Sequence, residues 1–223
     1  MLLSVSDAPR VAQALVALGA VRIASDQPFF YTSGWASPVY VDAHVLMSDV
    51  QWRTEIMDIA ARAIAPVIAA GQINAIVGTE SSGIAIAAWL AERLQLPMLY
   101  LRKRPVGWGI TAQLEGRLPP DARVLLADDI TTDGRSKAGA VAALRQSGPT
   151  VEHVMVLLDY ALYAQENQTL ADHSLQLHAL ASWPHLHQAL LASGQLDDAQ
   201  AAMLADFAAD PVAWSIGHGG TGA

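Results

Sequence analysis

The amino-acid sequence predicts an α/β fold with a central, mostly parallel β-sheet flanked by helices. Four near-continuous apolar segments are typical of strands that are buried on both faces: 73–78, 97–103, 123–129 and 151–160. Apolar residues with helical spacing lie between them, at 83–94 and 136–146. Strands that alternate with helices favour a parallel sheet, and such sheets bind ligands beyond the carboxyl ends of their strands. The functional site is therefore expected in three loops, at 79–83, 102–117 and 128–136.

The two ends of the chain extend this core. The pattern favours a helix at 8–19, two short strands joined by a turn within 28–48, and a long helix at 49–70. A further strand is predicted at 175–183, followed by two helices, and the ending GHGGTGA is predicted to be a floppy tail. We interpret the chain as a single domain, 1–223, with three parts: an N-terminal hood at 1–48, a core at 73–160 and C-terminal elements at 161–223.

Composition and charge narrow the class of protein. The 223 residues carry a formal net charge of −8, which argues against nucleic acid as a partner. No apolar run approaches the ~20 residues of a membrane span. Because there is no cysteine and the first residues do not resemble a secretory signal, a cytoplasmic protein is expected. Nine of the 13 basic residues lie between Arg93 and Arg145, which indicates either a solvated surface loop or a site for a small, strongly anionic ligand.

The segment RVLLADDITTDGRSKAG, residues 123–139, carries the most specific chemistry. Its apolar strand ends in Asp128 and Asp129, and since neighbouring strand residues point to opposite faces, at least one carboxylate should face the crevice. Carboxylates there suit the vicinal hydroxyls of a sugar or a hydrated Mg²⁺. The hydroxyl-rich loop 131–136 precedes a helix whose first N–H groups favour a phosphate. A sugar-phosphate site is predicted; the alternative is that Asp133 or Ser136 merely caps the helix.

Five motifs resemble a known family. LLADDITTDGRS closely resembles the signature of the type I phosphoribosyltransferases, which bind phosphoribosyl pyrophosphate (PRPP). The others are similar to the longer bacterial form of the orotate phosphoribosyltransferase family: YTSGWASPVYVD, GTESSGI, LPMLYLRKRPVGWG with AQLEG, and DPVAWSIGHGG. The likeness covers nearly the whole chain. It implies a Mg²⁺-dependent transfer of ribose 5-phosphate from PRPP to orotate in pyrimidine biosynthesis, with Mg²⁺ bound mainly through PRPP, no dedicated metal site, and a homodimer.

The resemblance also implies roles for particular residues. The pyrophosphate of PRPP is expected on the loop Glu80, Ser81, Ser82 and Gly83. The ribose 5-phosphate is expected on Asp128 and Asp129 together with Thr131, Thr132, Asp133, Gly134, Arg135 and Ser136. Catalytic roles are implied for Arg102 and Lys103 on the mobile loop and for the two aspartates. The base pocket is expected to contain Thr32, Ser33, Gly34, Tyr40, Thr132 and Tyr160.

Several positions depart from the pattern of that family. Val106 stands where the catalytic loop commonly carries a lysine, and His44 stands where an arginine is expected. Thr32 and Tyr160 replace a lysine and an arginine of shorter members, and Arg135 replaces a glycine. The sequence therefore leaves two alternatives to the orotate reaction, one for the identity of the base and one for the activity of the catalytic loop. The alternatives are a paralogous phosphoribosyltransferase that uses another base and a non-catalytic sensor of PRPP or a nucleotide; Val106 bears most directly on enzyme versus sensor.

Overall fold

A small hood and a long helix form the N-terminal part of the fold. The computed structural model describes residues 7–31, 33–105 and 113–222. After helix α1 (Ala8–Ala17), strand β1 (Val21–Ile23) pairs antiparallel with β4 (Val39–Val41), and β2 (Phe29–Phe30) pairs antiparallel with β3 (Ala36–Ser37). A 3₁₀ helix (Ala43–Ser48) and helix α2 (Val50–Ala69) then lead into the core. The hood is thus built from two very short strand pairs.

The central sheet is mostly parallel, as predicted. Its described strands are β5 (Ala75–Thr79), β6 (Met98–Leu101), β7 (Leu114–Glu115), β8 (Arg123–Thr131), β9 (Thr150–Asp159) and β10 (Gln176–Ser182). They lie in the order β10-β9-β8-β5-β6-β7, and only the short edge strand β7 is antiparallel to its neighbour within this described sheet. β8 and β5 are therefore central, which places the loops that follow them side by side.

Helices cover the sheet and complete the chain. They are α3 (Ser82–Leu94), α4 (Arg135–Gln146), α5 (Ala164–Asp172), α6 (Trp183–Ser193), α7 (Asp198–Ala209) and α8 (Pro211–Gly217). Helices α3, α4 and α5 follow β5, β8 and β9, so each begins at the carboxyl edge of the sheet. In the parts of the chain that the structure describes, no helix combines the length and apolar character needed to cross a membrane.

The central strands are buried on both faces, which explains their unbroken apolar sequence. On β8, Leu125 and Ala127 pack into one hydrophobic cluster, whereas Val124 and Leu126 pack into a second cluster on the opposite face. All four are at most 1% exposed. Full burial of a valine or leucine side chain contributes about 1.5–3 kcal/mol. This burial holds the end of β8, and with it the two aspartates, at a fixed position.

Two glycines allow α3 to begin directly against the sheet. A Cβ atom at Gly83 would overlap with the carbonyl oxygen of Ala127 on β8, and a Cβ at Gly78 would overlap with the carbonyl of Gly83. Any larger residue would push the helix away from the strands. The close packing brings the loop from Glu80 to Ser82 next to the end of β8, which builds one side of the site.

The structure differs from the sequence prediction mainly near the C-terminus. Helices α5 and α8 were not predicted, and the prediction of a floppy tail is wrong. The amide of Gly220 donates to the carbonyl of Ser215, and a Cβ at Gly220 would lie 2.5 Å from the backbone nitrogen of Ala36 in the hood. The glycines make the tail look unstructured in sequence, but here small size is what lets the tail pack closely.

Candidate active site

The loops after β5, β6 and β8 meet at the carboxyl edge of the sheet, where the sequence predicts the site. Two cavities lie there, of about 490 and 480 Å³. We call the first the loop cavity; Glu80, Ser81, Ser82, Arg102 and Lys103 are among the residues that line it. We call the second the hood cavity; its lining includes Phe30, Tyr31, Ser33, Tyr40, Val41, Thr132, Asp133, Arg135 and Tyr160. Asp129 and Ser136 line both, so the two cavities adjoin.

The loop cavity joins two loops and brings two cations, Arg102 and Lys103, together with the carboxylates of Glu80, Asp128 and Asp129. A carboxylate oxygen of Glu80 accepts a 2.8 Å hydrogen bond from the backbone amide of Lys103, and the Glu80 amide donates to the carbonyl of Leu101. These bonds tie the loop after β5 to the start of the loop after β6. Arg102 Nε donates to Glu115 Oε1 at 2.8 Å, which holds its guanidinium beside the cavity. Two cations and the N-terminus of α3 together suit a strongly anionic group.

Asp128 and Asp129 have different surroundings although they are neighbours on β8. Asp128 accepts a short hydrogen bond from Lys137 Nζ, and both of these side chains are largely buried. Asp129 lines both cavities. Burial is the main cause that raises its pKa; the nearby Asp128 carboxylate raises it further, and Lys137 lowers it. The pair thus offers one carboxylate compensated by a lysine and one that faces both cavities, as expected for successive strand residues.

The loop between β8 and α4 is anchored to the hood through Asp133. Gly134 has a φ of 75°, in the left-handed region that favours glycine, and makes the sharp turn into α4. The Asp133 carboxylate accepts a hydrogen bond from Trp35 Nε1 at 3.1 Å and from Arg135 Nε at 2.7 Å. Because Asp133 is held in this way, the first N–H groups of α4 keep a fixed position at the cleft, where a phosphate is favoured.

A buried pair of carboxyl groups lies behind the same loop. Thr131 Oγ1 donates a 2.8 Å hydrogen bond to Glu166 Oε1 on α5, and Glu166 is hydrogen-bonded to Asp159. All three residues are less than a tenth exposed. Burial is the main cause that raises the pKa of Glu166 to about 8, and the neighbouring Asp159 carboxyl group adds to it. The pair therefore holds a shared proton at neutral pH, and the Thr131 hydroxyl is occupied within the protein interior.

The hood cavity has several aromatic walls. Tyr31 donates a 2.6 Å hydrogen bond to the carbonyl of Val39, so the 2.9 Å contact between the Tyr31 and Tyr160 hydroxyls uses the Tyr160 proton. The two rings meet edge to face with their centroids 6.3 Å apart. Burial is the main cause that raises the pKa of Tyr160 well above its usual value. Tyr40 adds a further ring, and such walls suit a planar heterocycle.

Comparisons with known proteins identify the family. A family model for the phosphoribosyl transferase domain matches residues 50–188. The orotate phosphoribosyltransferase of Sinorhizobium medicae is 38% identical to this chain over 213 residues, which cover 96% of this chain and 92% of that protein. The chain belongs to the orotate phosphoribosyltransferase family.

Solved structures confirm the fold class predicted from sequence. The crystal structure of orotate phosphoribosyltransferase from Aeropyrum pernix has a TM-score of 0.70 and 31% identity, and the match covers 82% of this chain and 99% of that chain. The UMP synthase of Leishmania donovani matches with a TM-score of 0.75 over 91% of this chain and 42% of that chain. At 24% identity, this second likeness shows the fold alone.

Most of the site residues implied by the family resemblance line one of the two cavities. They are Ser33, Tyr40, Glu80, Ser81, Ser82, Arg102, Lys103, Asp128, Asp129, Thr132, Asp133, Arg135, Ser136 and Tyr160. Four others, Gly34, Gly83, Thr131 and Gly134, are not among the lining residues of either cavity. Thr32 and Val106 lie outside the described residues. The individual roles of these residues in an orotate phosphoribosyltransferase stay predictions.

Sequence reasoning missed Lys137 and Glu166, which hold site residues from the interior. Lys137 is 4% exposed and pairs with Asp128. The sequence could have predicted its burial, because Lys137 shares helical spacing with Val141 and Leu144 and therefore lies on the buried face of α4. A lysine on such a face needs a carboxylate partner. Glu166 had no comparable signal, since the sequence of α5 is polar and lacks an apolar period.

His44, which replaces an arginine of the family pattern, connects the hood to the loop cavity. Its Nε2 lies 2.9 Å from Ser82 Oγ, and its Nδ1 lies 3.0 Å from Asp42 Oδ1. Ser82 lines the loop cavity. The imidazole of His44 therefore forms polar contacts at a position where the family pattern has an arginine.

Proposed function

We propose that this protein transfers the ribose 5-phosphate group from PRPP to orotate, yielding orotidine 5′-phosphate and pyrophosphate. The observation that carries the proposal is the junction of two unlike cavities at Asp129. The loop cavity has two cations and a serine-rich loop for a pyrophosphate, and the hood cavity has aromatic walls for a planar base. The N-terminus of α4 borders the hood cavity and suits the 5-phosphate. Membership of the family supports the same reaction.

The side chains at the junction suit the charges of this transfer. The bond from C1 of the ribose to the pyrophosphate oxygen breaks while the bond from a ring nitrogen of orotate to C1 forms. Positive charge then develops on the sugar and negative charge on the leaving pyrophosphate. Arg102 and Lys103, which line the loop cavity, suit a pyrophosphate, and the Asp129 carboxylate suits a positively charged sugar. The transfer requires no covalent nucleophile, so orientation and electrostatics are the contributions expected of these residues.

We infer that Mg²⁺ binds together with PRPP, mainly through oxygens of the substrate. Within residues 7–31, 33–105 and 113–222 there is no cluster of three or more metal-binding side chains. Asp128 and Asp129 fit the one or two carboxylates that Mg²⁺ usually takes beside phosphate oxygens. The ion supplies further neutralisation of the pyrophosphate. A homodimer, inferred from the family resemblance, and a cytoplasmic location, inferred from the absence of cysteine, complete the proposal.

Release of pyrophosphate tests the reaction and the base together. The purified protein is incubated with Mg²⁺ and PRPP, and orotate, uracil and adenine are supplied one at a time. We expect release with orotate alone. Release with another base but not with orotate would mean that the protein uses that base as its substrate. Binding of PRPP without release for any base would mean that the protein is a sensor. Light scattering on the same sample checks the dimer.

The sugar assignment has its own test. Replacing both aspartates, Asp128→Asn with Asp129→Asn, is expected to abolish PRPP binding, because the neutral amides lose the charge-assisted hydrogen bonds to the ribose hydroxyls. Asp121→Asn is the matched control, since Asp121 is exposed and precedes β8 at the opposite edge of the sheet. Calorimetry with PRPP measures both variants, and an unchanged affinity in the double variant would refute the assignment.

A further inference from the structure

The hood cavity contains a single basic side chain among its described lining residues, and that residue is Arg135. The other charged residues that line it are Asp129 and Asp133. An anionic base such as orotate brings its own carboxylate into this acidic surrounding. Burial of that carboxylate without a cation would be costly. Arg135 is therefore the cation that this lining offers to a negatively charged base.

The guanidinium of Arg135 is held by one edge and free at the other. Its Nε donates to Asp133 Oδ2 at 2.7 Å, and its backbone amide donates to Asp133 Oδ1 at 3.2 Å. Asp133 is fixed in turn by Trp35, which is 1% exposed and packs on Tyr163 at 4.8 Å between ring centroids. Within the described chain, the two terminal nitrogens of Arg135 have no hydrogen-bond partner. They form a fork suited to a second carboxylate.

Two hydroxyls of the hood cavity, those of Tyr31 and Tyr160, are already engaged, whereas Ser33, Tyr40 and Thr132 add uncharged hydroxyls to its lining. Tyr31 gives its proton to Val39 and Tyr160 gives its proton to Tyr31, so neither hydroxyl has a proton left for a ligand. The N–H groups at the start of α4 suit the 5-phosphate. Among the described lining residues, the free edge of Arg135 is thus the charged donor pair available to a carboxylate of the base.

We propose that Arg135 determines base specificity by binding the carboxylate of orotate through its two terminal nitrogens while Nε stays on Asp133. The inference rests on the proposed function and adds to it the residue that separates orotate from uracil, which has the same ring without the carboxylate. The site also disfavours the neutral base, since uracil would cover the two terminal nitrogens of Arg135 without offering them an acceptor.

Two nucleotides that differ only in the carboxylate test this inference by binding alone. Calorimetry compares orotidine 5′-phosphate with uridine 5′-phosphate on the wild type and on Arg135→Gln. We expect the variant to lose about tenfold or more in affinity for orotidine 5′-phosphate, which corresponds to about 1.4 kcal/mol, and to bind uridine 5′-phosphate within about threefold of the wild type. Arg135→Lys keeps the charge without the fork and should fall between them.

The controls separate this role from a structural one. Arg123→Gln removes the same charge from an exposed position at the start of β8, and it should change neither affinity. If both nucleotides and PRPP weaken equally in Arg135→Gln, the residue serves the shared 5-phosphate and the inference is overturned. Unchanged affinities also overturn it. If Arg135→Gln does not fold, the comparison of Arg135→Lys with the wild type decides. A wild type that binds neither nucleotide nor PRPP refutes the proposed function itself.

Discussion

The backbone amide of Thr221 donates a 2.9 Å hydrogen bond to the carbonyl of Gly34, so the C-terminal tail is joined to the loop at the mouth of the hood cavity. Ser215 completes the link, because its Oγ accepts from the amide of Ala36 at 3.0 Å and donates to the carbonyl of Thr221 at 2.6 Å. Ser33, which lines the hood cavity, precedes Gly34 directly. The tail therefore helps to hold one wall of the cavity.

Substitution Gly220→Ala is predicted to break this link. The added Cβ would lie 2.5 Å from the backbone nitrogen of Ala36, so either the tail or the hood loop must move. We expect a loss of about 1–3 kcal/mol in the free energy of unfolding, as is usual for overpacking, and a weaker affinity for orotidine 5′-phosphate. Urea denaturation and calorimetry measure the two effects. Gly217→Ala is the control, since a Cβ there meets no atom within 4 Å. Equal stability of the two variants would contradict the prediction.

The pair of Glu166 and Asp159 predicts a loss of stability as pH rises through neutrality. The pKa of Glu166 is about 8 in the folded protein and 4.5 as its usual value, because the group is buried beside Asp159. Between these values the folded protein keeps a proton that the unfolded chain releases. The unfolded chain then binds fewer protons, so the free energy of unfolding decreases with pH across this window and levels off above about pH 8.

Glu166→Gln should flatten that dependence. The amide carries no titrating proton, and its oxygen still accepts the hydrogen bond from Thr131. Thermal melts between pH 5.5 and about 8.5 on the wild type and the variant measure the slope. Glu92→Gln serves as the control because Glu92 is exposed on α3. A variant that loses stability with pH as steeply as the wild type would show that Glu166 is not the responsible group.

The buried pair of His153 and His178 predicts a loss of stability on the acid side. His153 Nδ1 lies 3.0 Å from His178 Nε2, and the outer nitrogen of each ring has no partner among the described residues. Burial lowers the pKa of both rings, that of His178 to about 4 against a usual value of 6.5. The unfolded chain therefore binds more protons between these values, and the stability present above about pH 6.5 is lost as pH falls toward 4.

Replacing both rings together separates this effect from packing. His153→Leu with His178→Leu removes two buried polar groups at once, so stability at pH 7.5 should change by no more than about 1 kcal/mol, and the decline between pH 6.5 and 5 should become shallower. His178→Leu alone leaves His153 without its hydrogen-bond partner and should be the less stable of the two. Urea titrations at the three pH values measure this, and a single variant as stable as the double one would contradict it.

Local pattern predicted the sheet and the position of Asp128 and Asp129 at its carboxyl edge, because both depend on residues close in sequence. The apolar run of β8 and the adjacent Asp128 and Asp129 are one segment, and burial on both faces leaves its mark on every residue of the run. The docking of Gly220 on Ala36 and the bond from Thr131 to Glu166 join distant residues. Composition does not record such contacts, so the sequence predicted a flexible tail at Gly220 and gave no sign that Thr131 contacts Glu166.

The buried ion pair of Lys137 and Asp128 is predicted to offset the free-energy cost of two adjacent carboxylates on β8. Lys137→Met would leave Asp128 largely buried beside Asp129 without a cation, and removal of one partner from a buried ion pair costs about 3–5 kcal/mol. Lys137→Met combined with Asp128→Asn removes the uncompensated charge and should recover part of that loss. Unfolding free energies of the wild type, both single variants and the double variant close the cycle. Purely additive effects would mean that the two side chains do not stabilise each other, whereas a recovery shows that Lys137 and Asp128 stabilise each other as an ion pair.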